Sequence, residues 1–223
     1  MKHLPNAVLW DMDGTLVDTE PHWMAAEHEL VESFGGVWSD AHAQHLVGNS
    51  LMQSAEYIRA YGGVPMAPED IVGALLDRLI EKLKERIVWQ PGAVELITDL
   101  RAHGVPCALV TGSYRRMADV VISALPPGTF GSTVSGDEVG RGKPHPEPYL
   151  RAAAELGVAA SECIVLEDSA TGARSGLAAG ARVVLIPNAA TPDAVAKAPG
   201  AVVLDSLAGI NATTLTSIVR SSR

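Results

Sequence analysis

Asp11 and Asp13 stand two residues apart at the end of a short apolar run, Ala7–Trp10. In extended chain, side chains at i and i+2 point the same way, so both carboxylates can meet one reacting group. One carboxylate can attack phosphorus as a covalent nucleophile and form an aspartyl phosphate. The other can hand a proton to the leaving oxygen and later take one from water. Two anions beside an anionic ester repel each other, so this chemistry requires a cation. Mg2+ suits it, because it prefers oxygen ligands, typically a few carboxylates together with substrate phosphate and water. Asp168, with help from Glu167, would complete such a shell from a second apolar run, 163–166.

Two further stations obey the same logic. Thr111-Gly112-Ser113 ends the run Cys107–Val110 and precedes a helical stretch at 116–125. A hydroxyl and exposed backbone N–H groups at a helix N-terminus form a phosphate cradle, although an isolated triplet of this kind is more readily a helix cap. Lys143, in Gly142-Lys143-Pro144, is held extended by the proline after it. That suits a fixed cation reaching toward the transferred phosphoryl group and the Asp11 carboxylate. In an open parallel sheet, ligands bind beyond the carboxyl ends of the strands. Convergence of these stations on one sheet edge is harder to ascribe to chance than any one of them.

The elements that would deliver them are legible in the apolar pattern. Ala7–Trp10, Cys107–Val110, 163–166, 183–186 and 201–204 are continuous rather than alternating, as expected for parallel strands buried on both faces. Helical patterns lie between them: one opened by Pro91-Gly92 and closed by Gly104, one at 147–156, one at 169–179, and a last one from 211 to the end. Strand and helix alternate from residue 88 onward, which predicts a doubly wound α/β sheet. Residues 18–87 break the rhythm. Trp23, Leu30, Val31 and Phe34 recur at helical spacing, as do Ile71, Leu75, Leu79, Leu83 and Ile87. The stretch reads as a helical bundle inserted after the first strand, dividing the chain into 1–17 with 88–223 and an insertion at 18–87.

Composition bounds the rest. The 223 residues are 47% hydrophobic and 19% charged, enough apolar content for a sizeable packed core. The formal net charge of −9 and the absence of a basic cluster argue against a nucleic-acid partner. The densest basic stretch, 82–86, alternates with Glu81 and Glu85 and reads as a solvated helix face. No run approaches the roughly 20 apolar residues of a membrane span, and the N-terminus lacks a signal-peptide core. The expectation is a cytoplasmic protein, monomeric by default, acting on a small phosphorylated molecule. Cys107 and Cys163 sit in apolar runs and read as buried free thiols.

Taken together, Asp11-Met12-Asp13-Gly14-Thr15-Leu16-Val17-Asp18-Thr19-Glu20, Val110-Thr111-Gly112-Ser113, Gly142-Lys143-Pro144-His145-Pro146 and Leu166-Glu167-Asp168-Ser169 resemble the haloacid dehalogenase-like hydrolase superfamily, in the branch of β-phosphoglucomutases and sugar-phosphate phosphatases. The resemblance implies an α/β fold, a Rossmann-like parallel sheet with an inserted all-helical cap domain. It implies Asp11 as nucleophile and Asp13 as general acid/base, the latter also lending its backbone carbonyl to Mg2+. Thr111 and Lys143 would bind phosphate, and Asp168 would hold the metal with Glu167 assisting. Candidate substrate contacts are Glu20, His22, Trp23, Gly48, Asn49 and Ser50, with Arg115 and Arg116 beside the second station. β-Phosphoglucomutases carry a cap arginine shortly after a glycine to hold a second phosphate. Here Gly48 is followed by Asn49-Ser50-Leu51-Met52, which favours a phosphatase over a hexose-phosphate mutase. A non-catalytic scaffold is disfavoured because every chemical station is filled.

Overall fold

The computed structural model describes residues 4–191 and 193–221. Strands β1 (Ala7–Trp10), β2 (Cys107–Val110), β3 (Ser132–Val134), β4 (Cys163–Glu167), β5 (Arg182–Leu185) and β6 (Val202–Val203) form one parallel sheet in the order β3-β2-β1-β4-β5-β6. Alternate residues face opposite sides. Val8, Trp10, Leu109, Ile164 and Leu166 enter one core, and Ala7, Leu9, Ala108, Val110 and Val165 enter the other. Both sides are covered, which is why these strands read as unbroken apolar runs. Helix α5 (Ala93–Ala102) contributes Leu96, Ile97 and Leu100 to the first core, whereas Tyr149 packs into the second. The two cysteines are free and buried. No described helix is long and apolar enough to cross a membrane.

Between β1 and α5 the chain makes four helices: α1 (Glu20–Ser33), α2 (Asp40–Leu46), α3 (Leu51–Gly62) and α4 (Pro68–Glu85). Leu30, Val31, Ile58, Ile71, Leu75 and Leu79 bury their shared face. Ser39 and Ser50 cap α2 and α3 with reciprocal capping boxes. This is the inserted helical cap on a Rossmann-like core. Its two connections run side by side, Asp18 N donating to the Val88 carbonyl (2.8 Å) and Gln90 N to the Leu16 carbonyl (3.0 Å). After β2 come α6 (Arg115–Ser123), α7 (Glu147–Glu155) and α8 (Ala170–Ala178), then α9 (Ala194–Lys197) and α10 (Ala212–Ser221).

Five details depart from the sequence expectation. Strand β3 is an addition to it: Ser132-Thr133-Val134 is a three-residue, partly polar edge strand with no apolar run to announce it. The fifth strand begins and ends one residue earlier than the run 183–186, and the sixth pairs only at Val202 and Val203. Phe34 lies beyond the end of α1 and is half exposed, so it is not part of that helix's apolar stripe. Ile87 lies past Arg86, where α4 gives way to extended chain. The end of the tail helix at residues 222 and 223 lies outside the described residues.

Candidate active site

β1 and β4 are neighbours at the point where the connections change direction along the sheet, the crevice in which doubly wound folds bind ligands. Asp11 leaves β1 there, its backbone N–H still donating to the Leu166 carbonyl at 3.0 Å. Asp168 leaves β4 beside it. Asp11, Glu167 and Asp168 are all buried, and one carboxylate oxygen from each lies within 4.8 Å of the others. Lys143 reaches in from the loop that precedes residue 147. Its Nζ donates to Asp11 Oδ1 (2.6 Å), Glu167 Oε1 (2.6 Å) and the Val110 carbonyl (2.9 Å). Glu167 is held further by Tyr149 Oη (2.6 Å) and by Ser169, whose Oγ donates to Oε2 at 3.0 Å.

Three carboxylates and one ammonium leave this pocket short of positive charge. Burial, followed by the charge of Glu167, pushes the Asp11 carboxyl up to about 7. Burial, then Asp11, holds Asp168 well above the usual carboxylate range. Asp11 and Glu167 together raise Lys143 in spite of its own burial, so it stays cationic. A site that strains to ionise its acids, with oxygen donors only, fits a hard divalent cation. Glu167 has both oxygens engaged by Lys143, Tyr149 and Ser169, which leaves Asp11 and Asp168 as the better-disposed direct ligands.

Asp13 does not join that cluster. Oδ1 accepts from Thr19 Oγ1 (2.8 Å) and Trp23 Nε1 (3.4 Å), and Oδ2 from Thr111 Oγ1 (3.0 Å) and Ser113 Oγ (2.8 Å). The Thr111 hydroxyl also receives the Ser113 backbone N–H at 2.9 Å, closing the turn around Gly112. The expected phosphate cradle and the expected acid/base are thus joined by hydrogen bonds.

Above these groups lies a cavity of about 370 Å3 between core and cap. Asp11, Asp13, Gly112, Ser113, Lys143 and Asp168 form its floor. Its ceiling is the cap: Glu20, Trp23 and Glu27 of α1, Leu46 of α2, the 48–50 loop with Asn49, and Leu51, Met52 and Ser54 of α3. Glu20, Trp23 and Glu27 have i, i+3, i+7 spacing on one helix face. Burial, then the neighbouring Asp13, pushes Glu20 up to about 7.

Four expected contacts are not among the residues that line this cavity: His22, Arg115, Arg116 and Thr111, whose neighbours Gly112 and Ser113 do line it. His22 points off the lining face of α1 and is not among the lining residues. Arg115 is spent on the core: its guanidinium donates to both Glu138 oxygens (2.8 Å each) and to the Thr133 carbonyl (2.8 Å). Arg116 instead ties α6 to the cap, pairing with Asp77 and donating to the Gly73 carbonyl at 2.8 Å. Sequence reasoning missed Asn188, whose Nδ2 donates to Asp168 Oδ2 (3.0 Å) and the Gly14 carbonyl (3.4 Å). It stands just past β5, at the carboxyl end of a strand, the same kind of position that singles out Asp11, Thr111 and Asp168. Gly14, with φ of 84°, is required there, because a Cβ would collide with Asp168 and with Asn188.

The family model for the haloacid dehalogenase-like hydrolases matches residues 5–180. The chain belongs to that family. As a haloacid dehalogenase-like hydrolase it is 34% identical over 188 residues to hexitol phosphatase A of Escherichia coli, covering 80% of this chain and 81% of that protein. It is 32% identical over 190 residues to the bifunctional riboflavin kinase/FMN phosphatase of Arabidopsis thaliana, covering 84% of this chain but only 50% of that protein. The chain thus matches about half the length of that relative. Among solved structures, CbbY from Rhodobacter sphaeroides in complex with phosphate superposes with a TM-score of 0.85 at 27% identity, covering 96% of this chain and all of that one. A variant of the same protein, solved with xylulose-(1,5)bisphosphate, gives 0.85 at 26%, covering 95% and 99%. These relatives set the chain among the phosphoric monoester hydrolases.

Proposed function

We propose that this protein is a Mg2+-dependent phosphatase of small phosphate monoesters whose organic part bears hydroxyl groups, working through an aspartyl phosphate on Asp11. The observation that carries the reading is Lys143 Nζ, held at 2.6 Å from both Asp11 and Glu167 on the floor of a cap-covered cavity. Asp11, Asp168 and the Asp13 backbone carbonyl would hold the ion, which supplies positive charge against the phosphoryl oxygens when bound.

Lys143 lies against Asp11 Oδ1 and orients that carboxylate, so that an oxygen attacks phosphorus while the ester P–O bond breaks. Asp13 gives its proton to the departing alkoxide. It then takes one from the water that attacks phosphorus, and the bond to Asp11 breaks, releasing inorganic phosphate. Thr111 and Ser113 give their hydroxyl hydrogen bonds to Asp13. A phosphate that competes for those donors frees Asp13 of two partners and lets it turn to the leaving oxygen. Substrate binding and readiness of the acid are then coupled.

Phosphatase is favoured over mutase by charge. Lys143 is the only cation among the described residues lining the cavity, and its cap side presents Glu20 and Glu27 instead. A bisphosphate would set its second phosphate against those acids with no cation to receive it. The hexitol phosphatase relative makes polyol phosphates the first substrates to try. Purified protein with Mg2+ should release phosphate from an aryl phosphate and from one or more hexitol or sugar monophosphates, and Asp11→Asn should abolish release. Normal turnover by the Asn variant, or no release by the wild type across that panel, would refute the reading.

A further inference from the structure

Glu27 is a buried acid in the cap with no cationic partner among the described residues. It is 5% exposed, lines the cavity, and makes one hydrogen bond, accepting from Trp38 Nε1 at Oε2 over 3.3 Å. Its neighbours on α1 find partners at the surface, His28 with Asp40 and Glu29 with Arg78. Glu27 has none of these, and its Oε1 has no protein partner among the described residues. An unpaired acid in such a place is costly unless it is neutral or has a ligand. Satisfying the Trp38 indole needs only one acceptor, which any amide or carbonyl would provide. A carboxyl with its second oxygen on a cavity wall has more capacity than that role uses. Ser54, also buried, brings a hydroxyl to the same ceiling without a protein partner among the described residues.

We infer that Glu27, fixed in place by Trp38, is a specificity-determining residue that hydrogen-bonds a substrate hydroxyl remote from the phosphate. The inference rests on the phosphatase reading and narrows it to polyhydroxylated monoesters with an uncharged far end. Glu20, near Asp13, and Glu27 are seven residues apart, about 10 Å along the axis of α1. The helix therefore offers hydrogen-bonding positions near the leaving oxygen and two turns deeper. Burial pushes Glu27 up to about 8, so at neutral pH it can both donate to and accept from a hydroxyl. Trp38 acts as a positioning residue through its N–H.

The test compares a hexitol 6-phosphate with analogues lacking one hydroxyl on carbon 1, 2 or 3, using an aryl phosphate as reference. A site built to bind a hydroxyl rejects the analogue without it strongly. The wild type should prefer the parent over one analogue or more by at least about tenfold in kcat/KM, expressed mainly in KM. Glu27→Leu should cut that preference below about threefold, and Glu27→Gln, which keeps a neutral hydrogen-bonding head, should retain most of it. Trp38→Phe should weaken it while leaving Glu27 present. Retention of the full preference by Glu27→Leu would overturn the inference. So would a wild type that hydrolyses the aryl phosphate yet is indifferent to every missing hydroxyl, an outcome available even if Glu27→Leu fails to fold. No phosphate release by the wild type from any monoester would instead remove the phosphatase reading beneath it.

Discussion

Replacing Gly172 by alanine should damage the active site without touching a single chemical group. Gly172 occupies the first turn of α8, where helix propensity alone favours alanine by about 1 kcal/mol. A Cβ built there, however, would overlap Glu167 Oε1, Cδ and Oε2. Glu167 cannot retreat cheaply. Lys143 and Tyr149 hold Oε1 at 2.6 Å each, and Ser169 holds Oε2 at 3.0 Å. Overpacking typically costs about 1–3 kcal/mol. Displacing the carboxylate from one charged partner costs about 1.5–3 kcal/mol more. Against the helix gain, the net is a loss of about 1.5–5 kcal/mol, or about 3–20 °C in melting temperature for a chain of this size. Lys143 would shift with its partner, and misplacement of such a group by about 1 Å lowers kcat/KM on the order of 10²-fold. Thermal unfolding and phosphate release measure the two effects. Gly73→Ala, inside α4 with open space around it, is the control and should be neutral or slightly stabilising. If Gly172→Ala melted at or above the wild-type temperature with activity within twofold, the clamped position of Glu167 would be refuted.

Three other outcomes are expected. Folded Glu27 keeps its proton up to about 8, whereas the unfolded residue loses it near 4.5. Between those values the native state binds more protons, so stability falls as pH rises through that window, by an amount on the order of 3 kcal/mol from this group. Glu27→Gln should flatten the fall, and denaturant titrations between pH 4.5 and 8.5 would show no difference if Glu27 were ordinarily ionised. Added Mg2+ should raise the melting temperature of the wild type in a concentration-dependent way, because only the folded chain assembles the ligands. Asn188→Ala, which frees Asp168 Oδ2, should demand about 10–100-fold more Mg2+ for the same shift. A wild type indifferent to Mg2+ would count against the metal.

Much of this architecture could be read from residue types. Continuous apolar runs reveal strands buried on both faces, and the residues just past β1, β2 and β4 reveal the floor of the cavity. The reading fails where a side chain's direction matters more than its place in the chain. Arg115 sits next to the Thr111 station, yet on leaving the sheet it meets Glu138, a closer and better-aligned partner than any ligand. His22 is adjacent to Trp23 but a helix turns by about 100° per residue, so only Glu20, Trp23 and Glu27 share the lining face. Ser132-Thr133-Val134 is an edge strand whose pairing with β2 is fixed by tertiary contact rather than by its own composition. Glu27 looks like any surface acid until the fold buries it and Trp38 donates to it.

The place of β1 in the sheet has a consequence for how the protein is made. Of the six strands it is the first to be synthesised, yet it lies at the centre, with β2 on one side and β4 on the other. Asp11 meets Lys143 across 132 residues of chain, and Thr15 meets Asp168 across 153. Until β4 is synthesised, the edge of β1 opposite β2 has no strand to pair with, while the helices after β1 already have neighbours close in sequence. A nascent chain halted before β4 would therefore carry a formed helical insert and no catalytic centre, and its most exposed hazard would be the very strand that ends in the nucleophile.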